Sequence, residues 1–333
     1  MSNTNNFTKF KNISKDVELE QVQTIISNNS KKEETITSFF ELQQICNEIT
    51  NLQNQIKTVD KIERNRLQEK INALKSKLST GMPMDCSLVK DEIENQIIVF
   101  LEKYGYKKEF ILEKLKDVKF KVTNEKLNSG GFMSAVGNNI SIDYSVIDFD
   151  KNGNIIGFKQ EKQNFIRYVL THELLHICSN PNNVSLKDDA LSEGFTDMFA
   201  HIISKNYIDK SENYDFLVKI CTLFTNMLGM EKILDDYINN LDKTPNLRSL
   251  FQDEYIFMDF YHELNNILEL QMNKKEVQIK KIDLLYKLKD IVFLPFLEKQ
   301  QNKEEFINLF NNIFKEYGVS YSKEKIIENQ NIR

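Results

Sequence analysis

Two histidines and a glutamate in one short segment have the spacing of a metal site. His172 and His176 are four residues apart, and Glu173 directly follows the first of them. On a helix, residues four apart lie on the same face, so both imidazoles can bind one ion. A carboxylate at the position of Glu173 can take a proton from a water molecule bound to that ion. This pattern, H-E-x-x-H, is typical of zinc hydrolases and requires a helix and a third ligand.

The residues around this segment predict the required helix. Between positions 163 and 178, apolar residues recur at intervals of three and four, which is helical periodicity. The Asn-Pro-Asn-Asn run at 180–183 predicts that the helix ends there. A single histidine on such a face is usually a buried structural residue, but two at this spacing are seldom found there. We therefore predict a metal site on the last two turns of a largely buried helix.

A second predicted helix, from Ala190 to Lys205, carries the candidate third ligand, Glu193. Asp197 lies four residues further along the same face and can accept the free N–H of a metal-bound histidine. Gly194 disfavours a helix by about 0.5–1 kcal/mol relative to Ala, which predicts a close approach to the histidine helix. The alternative is that Glu193 and Asp197 are solvated carboxylates on an exposed helix.

The two helices resemble those of the gluzincin metallopeptidases, the thermolysin-like group. There, one helix carries H-E-x-x-H, and a second carries Glu followed four residues later by Asp. The resemblance covers about residues 120–205, and the matching positions are His172, Glu173, His176, Glu193 and Asp197. It implies a zincin-like catalytic domain that binds Zn²⁺ through the two histidines and Glu193, with Glu173 as general base. It does not identify a particular peptidase family.

A small sheet is predicted ahead of the histidine helix. Phe120 and Val122 alternate with polar residues, which indicates a strand. Segments 132–136 and 140–142 flank a Gly-Asn-Asn turn, which indicates a hairpin. The resemblance implies that an edge strand beside the histidine helix pairs with an extended peptide substrate. The alternative is a hairpin with a structural role only.

The resemblance also implies a Tyr or His that stabilises the oxyanion of the tetrahedral intermediate. We predict His262 for this role, because it lies on a helical stretch downstream of Glu193, although it also suits a core position. His201, one turn beyond Asp197, is either a support for the site or a buried polar residue. The other oxyanion candidates are tyrosines: Tyr214, Tyr255 and Tyr261.

The N-terminal part of the chain has a different character. Residues 1–34 are polar and poor in large apolar clusters, which predicts disorder. Heptad-like spacing of apolar residues runs over 42–59 and resumes over 67–78. This predicts either a coiled coil with a skip or a helical hairpin that turns at 58–60. The segment 42–78 would serve self-association or a protein partner, or would pack on the catalytic domain.

The predicted fold class is α+β and predominantly helical. A Thr-Gly-Met-Pro break at 80–83 is the best domain boundary, and helical periodicity continues from about residue 206 to the C-terminus. The predicted domains are a disordered segment (1–34), a coiled coil or helical hairpin (35–80), a zincin core with a small sheet (85–205), and a helical C-terminal lobe that completes the cleft (206–333).

Composition excludes several other classes of protein. The net charge of −5 and the lack of a dense basic stripe exclude a typical nucleic-acid-binding protein. No apolar run approaches about 18 residues, so no membrane span is expected. The N-terminus lacks the apolar core of a signal peptide, and the 4 cysteines are scattered without the spacing of a disulfide framework. We expect a cytoplasmic protein, with export that needs no cleavable leader left open.

The sequence therefore predicts a zinc-dependent peptidase that acts on a peptide or protein substrate. One alternative is a regulatory protease with a single protein target, selected by the N-terminal helices. Another is a non-enzymatic coiled-coil interaction protein with a vestigial zinc site. The presence of Glu173 argues against the second alternative, because loss of that carboxylate is the simplest route to an inactive scaffold.

Overall fold

The computed structural model describes residues 36–124, 133–179, 189–204, 214–240, 243–273 and 275–321. The predicted disordered segment 1–34 and the predicted helix stop at 180–183 lie outside the described residues. The described chain is α+β and mostly helical, with a small mixed sheet, as predicted. Its described residues divide into two compact units: those up to residue 82 together with 151–154, and those of 83–150 together with those from 155 onward.

The first unit contains a helical hairpin. Helix α1 spans Phe39–Gln55, and helix α2 spans Lys61–Thr80. Asp60 begins α2, since its carboxylate accepts hydrogen bonds from the backbone N–H groups of Ile62 and Glu63. The predicted apolar seam is buried between these helices, at Leu42, Ile45, Ile49, Leu52, Leu67, Ile71 and Leu78.

Ion pairs between the two helices show that they are antiparallel. Lys70 lies 2.7 Å from Glu48, and Lys77 lies 2.9 Å from Glu41. Of the two predicted alternatives, a coiled coil with a skip and a helical hairpin, the structure contains the hairpin. Association between chains through segment 42–78 stays a prediction.

A four-stranded sheet in the order β1-β2-β4-β3 belongs to the second unit, except for Met82, the first residue of β1. Strand β2 is parallel to β4, and β3 is antiparallel to β4, so β3 is an edge strand and the predicted hairpin is confirmed. Two further strands form a separate antiparallel pair. The strands are β1 (Met82–Met84), β2 (Lys119–Thr123), β3 (Met133–Val136), β4 (Asn139–Asp143), β5 (Ile147–Phe149) and β6 (Ile155–Phe158).

Helices make up the rest of this unit. They are α3 (Ser87–Glu102), α4 (Lys108–Leu115), α5 (Gln163–Ser179), α6 (Ala190–Ile203), α7 (Asp215–Leu228), α8 (Met230–Asn239), α9 (Pro245–Arg248), α10 (Glu254–Met272), α11 (Gln278–Leu288), α12 (Leu294–Glu298) and α13 (Lys303–Phe314). A π-helical turn, Lys289–Phe293, joins α11 to α12. Over the residues that the structure describes, no helix is long and apolar enough to cross a membrane. All four cysteines are buried, and none forms a disulfide.

Helix α6 lies at the centre of the second unit, in contact with α5, α7 and α10. Two hydrogen bonds hold its first turn. The Asp189 carboxylate accepts from the Leu191 N–H, and the Ala190 N–H donates to the Asn265 side chain on α10 at 2.8 Å. Nearly every residue from Ala190 to Ala200 is buried. The alternative of an exposed helix bearing solvated carboxylates is therefore wrong.

The prediction of a close helix approach at Gly194 is confirmed, but the neighbouring helix differs from the one expected. A Cβ atom at Gly194 would lie 2.7 Å from the Cys221 sulfur and 3.0 Å from the Leu217 Cβ. Both residues belong to α7, not to the histidine helix α5. The missing side chain thus lets α6 and α7 pack closely and sets the position of α6.

We expect Gly194→Ala to lower the free energy of unfolding by about 1–3 kcal/mol, as overpacking of a tight core does. The new methyl group would meet the α7 backbone carbon of Leu217 at 3.2 Å, which cannot rotate away. Gly157→Ala is the matched control, because a Cβ there has nothing within 4 Å. Chemical denaturation of both variants measures the difference; equal midpoints would show that the contact with α7 is not tight.

Candidate metal centre

Helices α5 and α6 bring the three predicted metal ligands together. The Nε2 atoms of His172 and His176 are 3.0 Å apart. One carboxylate oxygen of Glu193 lies 3.3 Å from the first nitrogen, and the other lies 3.4 Å from the second. All three ligand atoms lie within 4.8 Å of one another. Spacing along α5 positions the histidines, and packing of α6 against α5 positions the glutamate.

These separations fit a single zinc ion. Ligands bound about 2.0–2.2 Å from a tetrahedral zinc lie about 3.3–3.6 Å from each other. Here the two histidine nitrogens are 3.0 Å apart, and each lies 3.3 or 3.4 Å from a different oxygen of Glu193. Two imidazoles and one carboxylate are also a donor set of catalytic zinc sites, in which the fourth position stays open. The residues present therefore fit zinc by both chemistry and geometry.

Opposite charges dominate the electrostatics of this cluster. Burial opposes protonation of His172, but its hydrogen bonds with the Asp197 and Glu193 carboxylates outweigh burial and raise its pKa to about 10. Burial alone would raise the pKa of Glu193, yet the two histidines hold that pKa far below its usual range. The Glu193 and Asp197 carboxylates thus favour a positive charge at this position, either on the His172 ring or on a bound cation.

Asp197 lies against the Nδ1 side of the His172 ring. Its carboxylate lies 3.4 Å from the Nδ1 atom of His172 and accepts a hydrogen bond from the Tyr168 hydroxyl. His201 joins the group through its Nδ1, which is 2.8 Å from the backbone oxygen of Asp197. Asp197 is only 1% exposed. A buried carboxylate in this position fixes the ring of His172 with Nε2 toward the candidate metal.

We expect Asp197→Asn to weaken zinc binding by about 10–100-fold without abolishing it, as changes behind a ligand typically do. The neutral amide removes the charge that favours a proton on Nδ1 of His172. Asp148→Asn, at an exposed position of the same unit, is the matched control. Competition with a chelator measures both affinities, and an unchanged affinity for Asp197→Asn would show that this carboxylate does not support the site.

Glu173 lies beside the ligands and is buried. Burial raises the pKa of its carboxyl group, while His172, His176 and a hydrogen bond from the backbone N–H of Ala135 act in the opposite direction. Ala135 is on the edge strand β3, which packs against α5. The carboxylate is therefore held between the histidines and the sheet edge, where it can accept a proton.

The structure brings Tyr214, and not His262, to the cluster. The Tyr214 ring stacks on the ring of His172 with centroids 6.0 Å apart, and the Glu193 carboxylate is close enough to affect the pKa of its hydroxyl. Burial, followed by the nearby carboxylates, raises the pKa of this phenol well above its usual value, so it stays a proton donor. His262 lies on the exposed side of α10, and its ring contacts Tyr261.

The geometry therefore does not support His262 as the oxyanion group. No hydrogen bond, ion pair or ring contact joins it to the ligand residues within the described part of the chain. Of the other candidates, Tyr255 is 80% exposed, and Tyr261 hydrogen-bonds Asp189 and Asn265. Among these candidates, Tyr214 is the tyrosine that contacts a ligand residue, through its ring stack on His172.

Sequence reasoning did not identify two tyrosines that belong to the surroundings of the site. Tyr168 is one turn ahead of His172 on α5, so helical spacing could have suggested it. Tyr237 is on α8, outside the region of resemblance, and contacts Thr196. No spacing rule connects it with the histidines, because that contact depends on packing between helices.

Comparison of the chain with protein-family models, with curated proteins and with solved structures gives no match. A function for this protein must therefore rest on its own residues and their geometry.

Proposed function

We propose that this protein is a zinc-dependent peptidase that hydrolyses peptide bonds. The observation that carries the proposal is the convergence of His172, His176 and Glu193, with their ligand atoms within 4.8 Å of one another. Glu173 lies buried beside them on the same helix as the histidines. The combination of three protein ligands and an adjacent carboxylate is the arrangement that metal-assisted hydrolysis needs.

Each side chain has a distinct role in this proposal. A zinc ion, when bound, would act as a Lewis acid and make a water molecule more acidic. Glu173 accepts the proton of the attacking water and later delivers it to the leaving amine. Asp197 keeps His172 in the orientation that binds metal. Tyr214 donates its phenol hydrogen toward the oxygen on which negative charge develops.

The edge strand β3 is the feature that favours a peptide as substrate. Its outer edge lies along α5, as the hydrogen bond from Ala135 N–H to Glu173 indicates. Backbone groups on such an edge can pair with an extended peptide, and that pairing would hold the scissile bond next to Glu173. Selection of a single protein target by the N-terminal hairpin is a narrower form of the same proposal.

Metal analysis combined with a cleavage assay tests the proposal. The purified full-length chain should contain about one zinc ion, and it should cleave a quenched peptide library. A chelator should stop cleavage, and added zinc should restore it. His176→Ala should lose both zinc and cleavage. A native chain that binds no zinc, or that binds zinc and cleaves no peptide, would contradict the proposal.

A further inference from the structure

Helix α7 presents one face to α6, and Tyr214 lies at the start of that face. Four residues follow one another in steps of three, four and four, so their side chains share one side of the helix: Tyr214, Leu217, Cys221 and Thr225. The Thr225 hydroxyl lies 3.6 Å from the sulfur of Met198 on α6. The face that begins with Tyr214 is therefore the one that packs against α6.

Gly194 of α6 lies against the middle of this face. A Cβ atom there would lie 2.7 Å from the Cys221 sulfur and 3.0 Å from the Leu217 Cβ. Both of these residues are at most 2% exposed, so each is enclosed by other parts of the core. Gly194 directly follows Glu193, the candidate third ligand. The separation between α7 and the ligand-bearing turn of α6 thus depends on the absence of a side chain at Gly194.

Tyr214 is joined to α7 by the first hydrogen bond of that helix. Its backbone carbonyl oxygen accepts from the Val218 N–H at 2.9 Å, so its backbone moves together with α7. Its ring makes an angle of 14° with the ring of His172, and the two centroids are 6.0 Å apart. The contact with Gly194 follows one turn later, at Leu217. A change in the position of α7 would therefore move the phenol ring relative to His172.

Helix α6 is also held by contacts on its other sides. At its start, the Ala190 N–H donates to the side chain of Asn265 on α10 at 2.8 Å. Asp197, one turn beyond Glu193, accepts a hydrogen bond from the buried hydroxyl of Tyr168 on α5. Because Glu193 lies between these two anchors, strain at the contact with α7 should displace α7 rather than the ligand.

We propose that Gly194 is a positioning residue for Tyr214. Its contact with Leu217 and Cys221 seats α7 at the distance that brings the phenol ring to the candidate metal centre. The turn of α6 that supplies the third ligand thereby also positions the group that faces the oxyanion. Gly194 acts through α7 and has no part in zinc binding itself. This role rests on the proposed function, in which Tyr214 donates to the oxyanion.

A methyl group at position 194 sets the size of the expected effect. Non-bonded heavy atoms in ordinary contact lie about 3.5–4.0 Å apart. A methyl carbon 2.7 Å from the Cys221 sulfur therefore requires a movement of about 1 Å. Misplacement of a reacting group by about 1 Å can lower a rate by about 10²-fold. We expect Gly194→Ala to lower kcat for peptide cleavage by about that factor, with zinc affinity in chelator competition as in the parent.

The contact between the two rings can be observed in the metal-free, full-length protein. In protein with ¹³C-labelled histidine and tyrosine, a nuclear Overhauser effect should join the ring protons of His172 and Tyr214. The chain has only 4 histidines and 12 tyrosines, and Tyr214→Leu identifies the signal by its loss. We expect this signal in the parent protein and a weaker one in Gly194→Ala.

A second substitution tests whether the contact with α7 is responsible. Cys221→Ala removes the sulfur atom that the new methyl group would meet, so the double variant Gly194→Ala/Cys221→Ala should regain the ring contact and most of the cleavage rate. Val292→Ala is the control for a loosened core. Val292 is fully buried in the π-helical turn, which packs against α11 and α12. Its truncation should lower stability and leave the ring contact and kcat unchanged.

Four results would overturn the role of Gly194. The first is a parent protein without the ring contact, which is decisive even if no variant folds. The second is a Gly194→Ala protein with the parental ring contact and kcat. The third is a double variant that regains neither. The fourth is a loss of zinc affinity in Gly194→Ala as large as its loss of kcat, because the methyl group would then displace Glu193 rather than Tyr214.

The ring contact and the zinc affinity are both measured without peptide cleavage. A chain that cleaves no peptide, but whose ring contact weakens in Gly194→Ala and returns in the double variant, would contradict the peptidase and leave the positioning of Tyr214 intact. A peptidase without the ring contact would do the reverse.

Discussion

Glu173→Gln should abolish peptide cleavage while the protein keeps both its zinc and its fold. Gln is nearly the same size and can occupy the buried space between α5 and β3. Its amide cannot accept a proton from water, and general-base catalysis contributes about 10²–10⁴-fold to the rate. We therefore expect the cleavage rate to fall by about that factor, with zinc content unchanged.

The comparison needs a control for replacing a carboxylate with an amide. Glu161→Gln provides it, because Glu161 is an exposed residue just ahead of α5 in the same unit. That variant should cleave at the parental rate. If Glu173→Gln also cleaves at the parental rate, Glu173 is not the base and the proposed roles of the residues are wrong.

Glu193→Ala should lose zinc as well as activity. Its carboxylate contributes an oxygen close to each histidine nitrogen, at 3.3 and 3.4 Å, so its negative charge lies directly at the candidate metal position. Without it, two neutral imidazoles remain, and the affinity for zinc should fall by more than the about 10–100-fold typical of an outer residue. Chelator competition and metal analysis of the purified variant measure this loss.

Glu269→Ala, at an exposed position on α10, is the control for removing a glutamate side chain. It should retain zinc and activity. Comparison of Glu173→Gln with Glu193→Ala then separates the loss of proton transfer from the loss of zinc binding. Loss of zinc in both variants would mean that Glu173 is itself a ligand, and retention of zinc in both would mean that Glu193 is not one.

The features that sequence alone predicted are those that local geometry determines. His172 and His176 share a face because any helix places residues four apart one above the other. The same rule places Glu193 and Asp197 on one face of α6. Heptad spacing likewise predicted the buried seam of α1 and α2, and alternation predicted β2 and the hairpin of β3 and β4. These patterns depend only on the residue repeat of a single helix or strand and on which of its faces is exposed to water.

The tertiary structure decided which helices and side chains contact one another. Gly194 signals a close approach, but only packing shows that the neighbour is α7, because a missing Cβ does not specify what fills its place. Downstream position favoured His262 as the partner of the site, whereas packing puts Tyr214 against His172 and leaves His262 on an exposed face. Distance along the chain carries no information about which helix faces turn inward.

The surroundings of His176 show this limit most clearly. Its ligand role is predicted by a four-residue spacing within α5, which sequence alone contains. Its Nδ1 atom lies 3.4 Å from the Thr196 hydroxyl, which is 2.7 Å from the Tyr237 hydroxyl on α8, and no periodic pattern joins residues so far apart in the chain. A helix fixes its own side-chain directions by backbone hydrogen bonding, but the contacts between helices arise only when their apolar faces are buried together.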